Sequence, residues 1–165
     1  MKPALLIIDV QNRFFETSPE TAESLTEAIQ HINKAIGLFR EKELPIICIQ
    51  NVNPADNLQP GEPGFDVPEA IELHPTDGRI HKRYRNAFNK TALMEKLEEQ
   101  DVDTVIVTGY CAGHCVLSTY RGAEDLDLKA IMLHGAIASN EPSTIPVVES
   151  FGESMTYDAL KEALQ

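Results

Sequence analysis

The chain has 165 residues, 42% of them hydrophobic, with 14 Lys and Arg against 26 Asp and Glu and a formal net charge of −12. That length buries a core without disulfides or a structural metal. The acidic balance, relieved only by the short basic stretch His81-Lys82-Arg83-Tyr84-Arg85, argues against nucleic acid and anionic membranes as partners.

No apolar run approaches the roughly 20 residues of a membrane span, and the N-terminus reads as a first strand and not as a cleavable leader. Cys48, Cys111 and Cys115 are an odd, sparse set, unlike a secreted disulfide framework. The expectation is one cytoplasmic domain over residues 1–165 whose partner is a small molecule.

In chain order, Ala4 to Asp9 is a continuous apolar run ending in a carboxylate, and reads as a buried strand. Glu20 to Glu43 places Leu25, Ile29, Ile32, Ile36 and Phe39 at helical spacing. Pro45 to Gln50 is the next buried strand. Asn51 to Gly78 is rich in Pro, Gly and Asn, and a loop that long is expected to be a lid or a partner-contacting segment. Arg79 to Lys82 reads as a short strand, Thr91 to Gln100 as a helix and Thr104 to Thr108 as a buried strand. Gly109 to His114 reads as a turn, and Val116 to Ala123 as a helix with Cys115 in its first turn. Lys129 to His134 is a further strand. Glu153 to Gln165 suits an edge strand and a terminal helix with Asp158 near its N-cap. Buried strands alternating with helices predict a doubly wound α/β fold, a mainly parallel sheet covered on both faces.

In such sheets ligands bind beyond the carboxyl ends of the strands. Asp9 ends the first strand, Lys82 the third, and Cys115 begins the helix after the fourth, so the topology sends a carboxylate, an ammonium and a thiol to one edge. Free backbone N–H groups and the macrodipole at a helix start favour an anion, which gives Cys115 a local reason to ionise. Each residue also has an ordinary reading: a turn residue, a solvated lysine, a small buried hydrophobe.

Three segments resemble the isochorismatase-like cysteine hydrolases, which include nicotinamidases and related small-amide hydrolases. Asp9-Val10-Gln11-Asn12-Arg13-Phe14 is similar to that family's D-x-Q-x-x-F. Lys82 to Phe88 is similar to K-x-x-x-[SN]-A-F, with Thr91 and Leu93 following as in T-x-L, and Gly109 to Val116 is similar to its G-x-x-x-x-x-C-V turn. The resemblance covers nearly the whole chain and implies a three-layer α/β/α fold with a catalytic triad of Asp9, Lys82 and Cys115. It further implies a cis peptide between Tyr110 and Cys111, an oxyanion hole from the backbone N–H groups of Cys111 and Cys115, and a homo-oligomer, dimeric or higher.

The implied chemistry has Asp9 take the Cys115 proton while Lys82 keeps the site electropositive, so that the thiolate attacks a small amide or related C–N bond. Phe14, Ala112 and His114 are the expected pocket residues. Where metal-bearing relatives have Asp-x-His after the second strand, this chain has Gln50-Asn51-Val52-Asn53-Pro54, so no metal and no cofactor are expected. His74 and His81 are the remaining histidine candidates. Two alternatives stand beside this reading: cleavage of an isochorismate-like vinyl ether, which needs no thiol, and a non-catalytic metabolite-binding member of the fold. A redox pair of Cys111 and Cys115 requires geometry that a turn need not supply.

Overall fold

A computed structural model describes residues 1–165. Its centre is a six-stranded sheet in the order β3-β2-β1-β4-β5-β6. The strands are β1 (Pro3–Ile8), β2 (Ile46–Asn51), β3 (Gly78–Lys82), β4 (Thr104–Tyr110), β5 (Lys129–Ala138) and β6 (Ser154–Met155). Every pairing is parallel. All residues of β1 and β4 are buried, as continuous apolar runs require when helices cover both faces of a parallel sheet. The chain starts in the middle, winds outward through β2 and β3, then returns to the other side of β1 with β4. The order therefore reverses between β1 and β4, and a crevice opens at their carboxyl ends.

The first helix, α1 (Pro19–Glu41), begins at Ser18, whose hydroxyl accepts the Thr21 N–H at 3.1 Å, with Pro19 at the first helical position. Its buried stripe, Leu25, Ala28, Ile29, Ile32, Ala35, Ile36 and Phe39, recurs every three or four residues and packs on one face of the sheet. The terminal helix α5 (Tyr157–Ala163) joins this layer through Leu160. On the other face lie α2 (Leu93–Glu98) and α3 (Leu117–Asp125), with Leu93, Leu97, Tyr120 and Ala123 inside a second core. The short α4 (Ile145–Glu149) follows β5 and contributes Val148 to that second core.

The expected elements are present with shifted ends. β4 runs on to Tyr110 and β5 to Ala138, the latter through a register shift opposite Val107 and Gly109. The helix expected over Thr91 to Gln100 is confined to Leu93–Glu98, since Thr91 turns its hydroxyl onto the Ala87 carbonyl in the preceding turn. The cap of α5 is Thr156, whose hydroxyl accepts the Ala159 N–H, with Asp158 close to it in the first turn as expected.

The long segment after β2 differs in character from the expected lid. Asn33 bonds Ala70 O and Glu72 N, and Arg40 forms two bonds to Asp77 at 3.1 and 3.0 Å, so α1 straps this segment down. Buried Gln11 and Gln50 both donate to Phe65 O at 3.0 Å. Such fixed backbone is the opposite of a hinged flap. None of its residues lines the crevice described next, where only Asn51, the last residue of β2, is present from this part of the chain.

Candidate active site

Three strand ends deliver Asp9, Lys82 and Cys115 to one point. Asp9 is the first residue after β1; its N–H donates to Ile49 O at 2.9 Å, and its φ of 52° turns the chain out of the sheet. Aspartate is one of the few residues with a side chain that enters this left-handed region readily. Lys82 closes β3 beside Asn51 of β2 and is 1% exposed. Its Nζ lies 3.1 Å from Asp9 Oδ2, 2.9 Å from Tyr84 O, 3.3 Å from Cys115 Sγ and 3.5 Å from Asn51 Oδ1. An ammonium has three N–H donors, so these four acceptors compete and the long contact to Asn51 is the weakest.

Cys115 reaches the same point by a different local device. At Gly109 the backbone has φ 111°, and a Cβ there would sit 2.1 Å from Ile8 O, so only glycine lets β4 pass this close to β1. The Tyr110–Cys111 peptide is cis. The chain then enters a wide π-type turn, Ala112–Val116, closed by the Val116 N–H on Cys111 O at 3.2 Å and running directly into α3. The reading of Gly109 to His114 as an irregular turn misplaced the helix start, since apolar Ala112 and Val116 are fully buried and wind this segment onto the core. The Cys111 N–H donates to no protein carbonyl, and Cys111 and Cys115 both line the cleft.

The electrostatics correct one expectation. Burial pushes the Asp9 carboxyl above the usual carboxylate range, opposed by the Lys82 charge and by a hydrogen bond from the thiol. The Cys115 thiol is pushed up to about 12, first by burial and then by the neighbouring Asp9 charge, with Lys82 opposing. The helix start therefore does not leave Cys115 ionised: burial and an adjacent carboxylate outweigh the dipole. Near neutral pH the Cys115 thiol therefore keeps its proton. Asp9 Oδ1 is buried without a well-formed partner, so the carboxylate retains an oxygen able to take up a proton.

Asp9 and Cys115 line a cleft of about 420 Å³ that also includes Phe14, Asn51, Tyr84, Tyr110, His114 and Asn140, with Lys82 buried behind it. Phe14 sits where the sequence suggested, its ring 4.9 Å from that of Tyr110 at 31°, and His114 lies on the rim. Ala112 does not line the cleft: its methyl is fully buried in the core beneath the turn. Asn51, Tyr84, Tyr110 and Asn140 also line the cleft and were not anticipated. Asn51 and Tyr110 end strands that flank Asp9, which was the available signal; Asn140 lies in an irregular loop after β5 and carried none. His74 is in an exposed turn bonded to Thr76, and His81 points away from Lys82 onto Phe65 with ring centroids 5.1 Å apart. Neither lines the cleft. All three cysteines are free thiols.

A doubly wound parallel sheet with Asp9, Lys82 and Cys115 converging at its switch point defines a three-layer α/β protein with a thiol in its cleft. The family model described as Isochorismatase domain matches residues 3–145, and the chain belongs to that family of hydrolases. It is 30% identical over 140 residues to an uncharacterized isochorismatase family protein, YrdC, of Bacillus subtilis (strain 168), covering 84% of this chain and 74% of the relative. It is 25% identical over 170 residues to a ureidoacrylate amidohydrolase of Cronobacter sakazakii, covering 81% of this chain and 73% of that protein. The solved structure of an isochorismatase-like hydrolase from Alkaliphilus metalliredigens superposes with a TM-score of 0.90 at 26% identity, covering 100% of both chains.

Proposed function

We propose that this protein is a cysteine-dependent hydrolase of small amides or related C–N bonds, with Cys115 as nucleophile, Asp9 as proton carrier and Lys82 as the fixed counter-charge. The observation that carries this reading is the contact of Lys82 Nζ with both Asp9 Oδ2 and Cys115 Sγ, at 3.1 and 3.3 Å, at the floor of an open cleft. The amidohydrolase named above adds support from a relative.

In the proposed cycle, the Cys115 Sγ–H proton passes to Asp9 as Sγ bonds to the carbonyl carbon, and the carbonyl oxygen becomes an oxyanion. The N–H groups of Cys111 and Cys115 are the proposed donors to it. Collapse restores C=O and breaks C–N, the Asp9 proton going to the departing nitrogen. A thioester on Cys115 remains. Asp9 then takes a proton from water, whose hydroxide adds to the thioester carbon; C–S breaks, and the sulfur recovers the proton from Asp9. Lys82 stays protonated throughout, so that the proton moves within a site of constant net charge. This keeps the buried thiol, with its pKa of about 12, usable near neutrality: its proton needs only to cross to Asp9 and never to reach solvent.

The test is turnover of a panel of small amides, ureas and carbamates by wild type and Cys115→Ala. The proposal expects wild type to hydrolyse at least one class and the variant to lose that activity by several orders of magnitude. Equal turnover by the variant would remove Cys115 from the reaction.

A further inference from the structure

The cleft wall away from the triad is unused by the chemistry above, and its charge opposes that of the chain. Acids outnumber bases 26 to 14, yet Asp9 is the only acid lining the cleft, and it is already paired with Lys82. Arg83 and Arg85 line the same space, are exposed, and take part in none of the ion pairs of the fold.

The segment that carries them is fixed. Tyr84 O accepts from Lys82 at 2.9 Å, while Thr119 of α3 donates to Arg85 O at 3.4 Å and accepts the Ala87 N–H at 3.1 Å. Asn51 and Asn140 turn their side-chain oxygens onto Lys82 Nζ and Cys111 Sγ, at 3.5 and 3.2 Å, which leaves both amide NH₂ groups without a protein acceptor. A cleft offering donors and two unpaired guanidinium groups is matched by a ligand that brings acceptors and negative charge, and the guanidinium fork fits a carboxylate in particular. Phe14 and Tyr110 supply an apolar surface beside it, and about 420 Å³ is the size of a small-molecule site.

We infer that the cleft selects amides bearing a carboxylate, held by Arg83 and Arg85 at the rim while the scissile bond lies over Cys115. This rests on the amide-cleaving function proposed above, but the selection can be measured without it. Iodoacetate and iodoacetamide alkylate a thiol by the same displacement of iodide and differ chiefly in charge. The measured quantity is the ratio of their rate constants at Cys115, read by peptide mass spectrometry. The reference is the same ratio for a peptide that carries Cys115 in unfolded form.

The ratio in the folded protein is expected to exceed the reference by about tenfold, the scale of two charges acting across a partly exposed cleft. In the Arg83→Gln, Arg85→Gln double variant it should fall most of the way to the reference. It should also fall in wild type as salt rises to about 1 M, where screening shortens to about 3 Å, and this reading stands even if the double variant does not fold. A wild-type ratio at or below the reference overturns the inference. An elevated ratio unaltered by both substitutions in a folded variant assigns the attraction to Lys82 alone and also overturns it. Failure of every amide in the panel would sink the proposed reaction, whereas a high, Arg-dependent ratio would still support anion selection.

Discussion

Asp9→Asn separates two roles of the carboxylate that act in opposite directions on the thiol. In wild type the Asp9 charge helps hold the Cys115 thiol at about 12, yet the same carboxylate is the proposed acceptor of its proton. Both groups lie close to Lys82 Nζ, at 3.1 and 3.3 Å, so their charges are no more than about 6 Å apart. At an effective dielectric of about 20, that repulsion is about 3 kcal/mol. Its removal favours the thiolate by roughly a hundredfold or more.

The sign of the pH dependence follows from where the proton goes. In wild type the reactive species is thiolate beside protonated Asp9, which has the same proton count as thiol beside carboxylate. Alkylation by iodoacetamide is therefore flat with pH between the raised Asp9 value and the thiol value of about 12. It falls below that window as Asp9 gains a proton and the pair no longer holds an acceptor. In Asp9→Asn the thiol must lose its proton to solvent, so alkylation should rise tenfold per pH unit and overtake wild type near neutrality, while amide turnover is abolished. Rates for folded protein, confirmed by circular dichroism, over about pH 6 to 9 decide it. A wild-type rate that climbs tenfold per pH unit, or a variant slower than wild type throughout, would refute the shared-proton account.

Lys82→Met should destabilise the fold by about 3–5 kcal/mol, because it strands a buried carboxylate; urea denaturation reads this directly. Gly109→Ala places a methyl 2.1 Å from Ile8 O at φ 111° and is expected to cost more than about 4 kcal/mol or to prevent folding, checked by thermal melting and soluble yield. Gln11→Leu removes the acceptor of the Asn51 N–H, at 2.8 Å, and should cost about 1–3 kcal/mol for the orphaned group, with a loss of turnover as Asn51 shifts against Lys82. Cys48, 2% exposed and pushed up to about 12 by burial, should stay unalkylated in the folded protein under conditions that modify Cys115. Modification of Cys48 at a comparable rate would contradict the packing described for β2.

The centre of the sheet was legible in the sequence because β1, β2 and β4 are buried almost throughout and read as apolar runs. The long stripe of α1, from Leu25 to Phe39, was equally plain. Asp9, Lys82 and Cys115 could be placed because strand ends in a parallel sheet share an edge, so topology alone brings distant residues together. What local pattern could not supply was the direction of individual side chains at the turn after β4. Ala112 was expected to face the cleft but is wound into the core, since a π-type turn shifts which residues point inward. The helix start gave Cys115 a local reason to ionise, and what the sequence pattern did not show was the depth of burial, which with the Asp9 charge pushes the thiol the other way. The strapped loop after β2 depended on Asn33, Arg40 and Gln11, polar residues far from it in sequence, and on Gln50 at its edge, whose bonds leave no periodic signal.

The covalent step is the centre of the account, and acid-quenched peptide mass spectrometry during turnover of an amide substrate tests it most directly. The predicted result is a Cys115 peptide heavier by the acyl group of the substrate, present in wild type, labile to hydroxylamine as a thioester, and absent in Cys115→Ala. Turnover with no acyl group on Cys115 under rapid quenching, and with activity retained in Cys115→Ala, would contradict it.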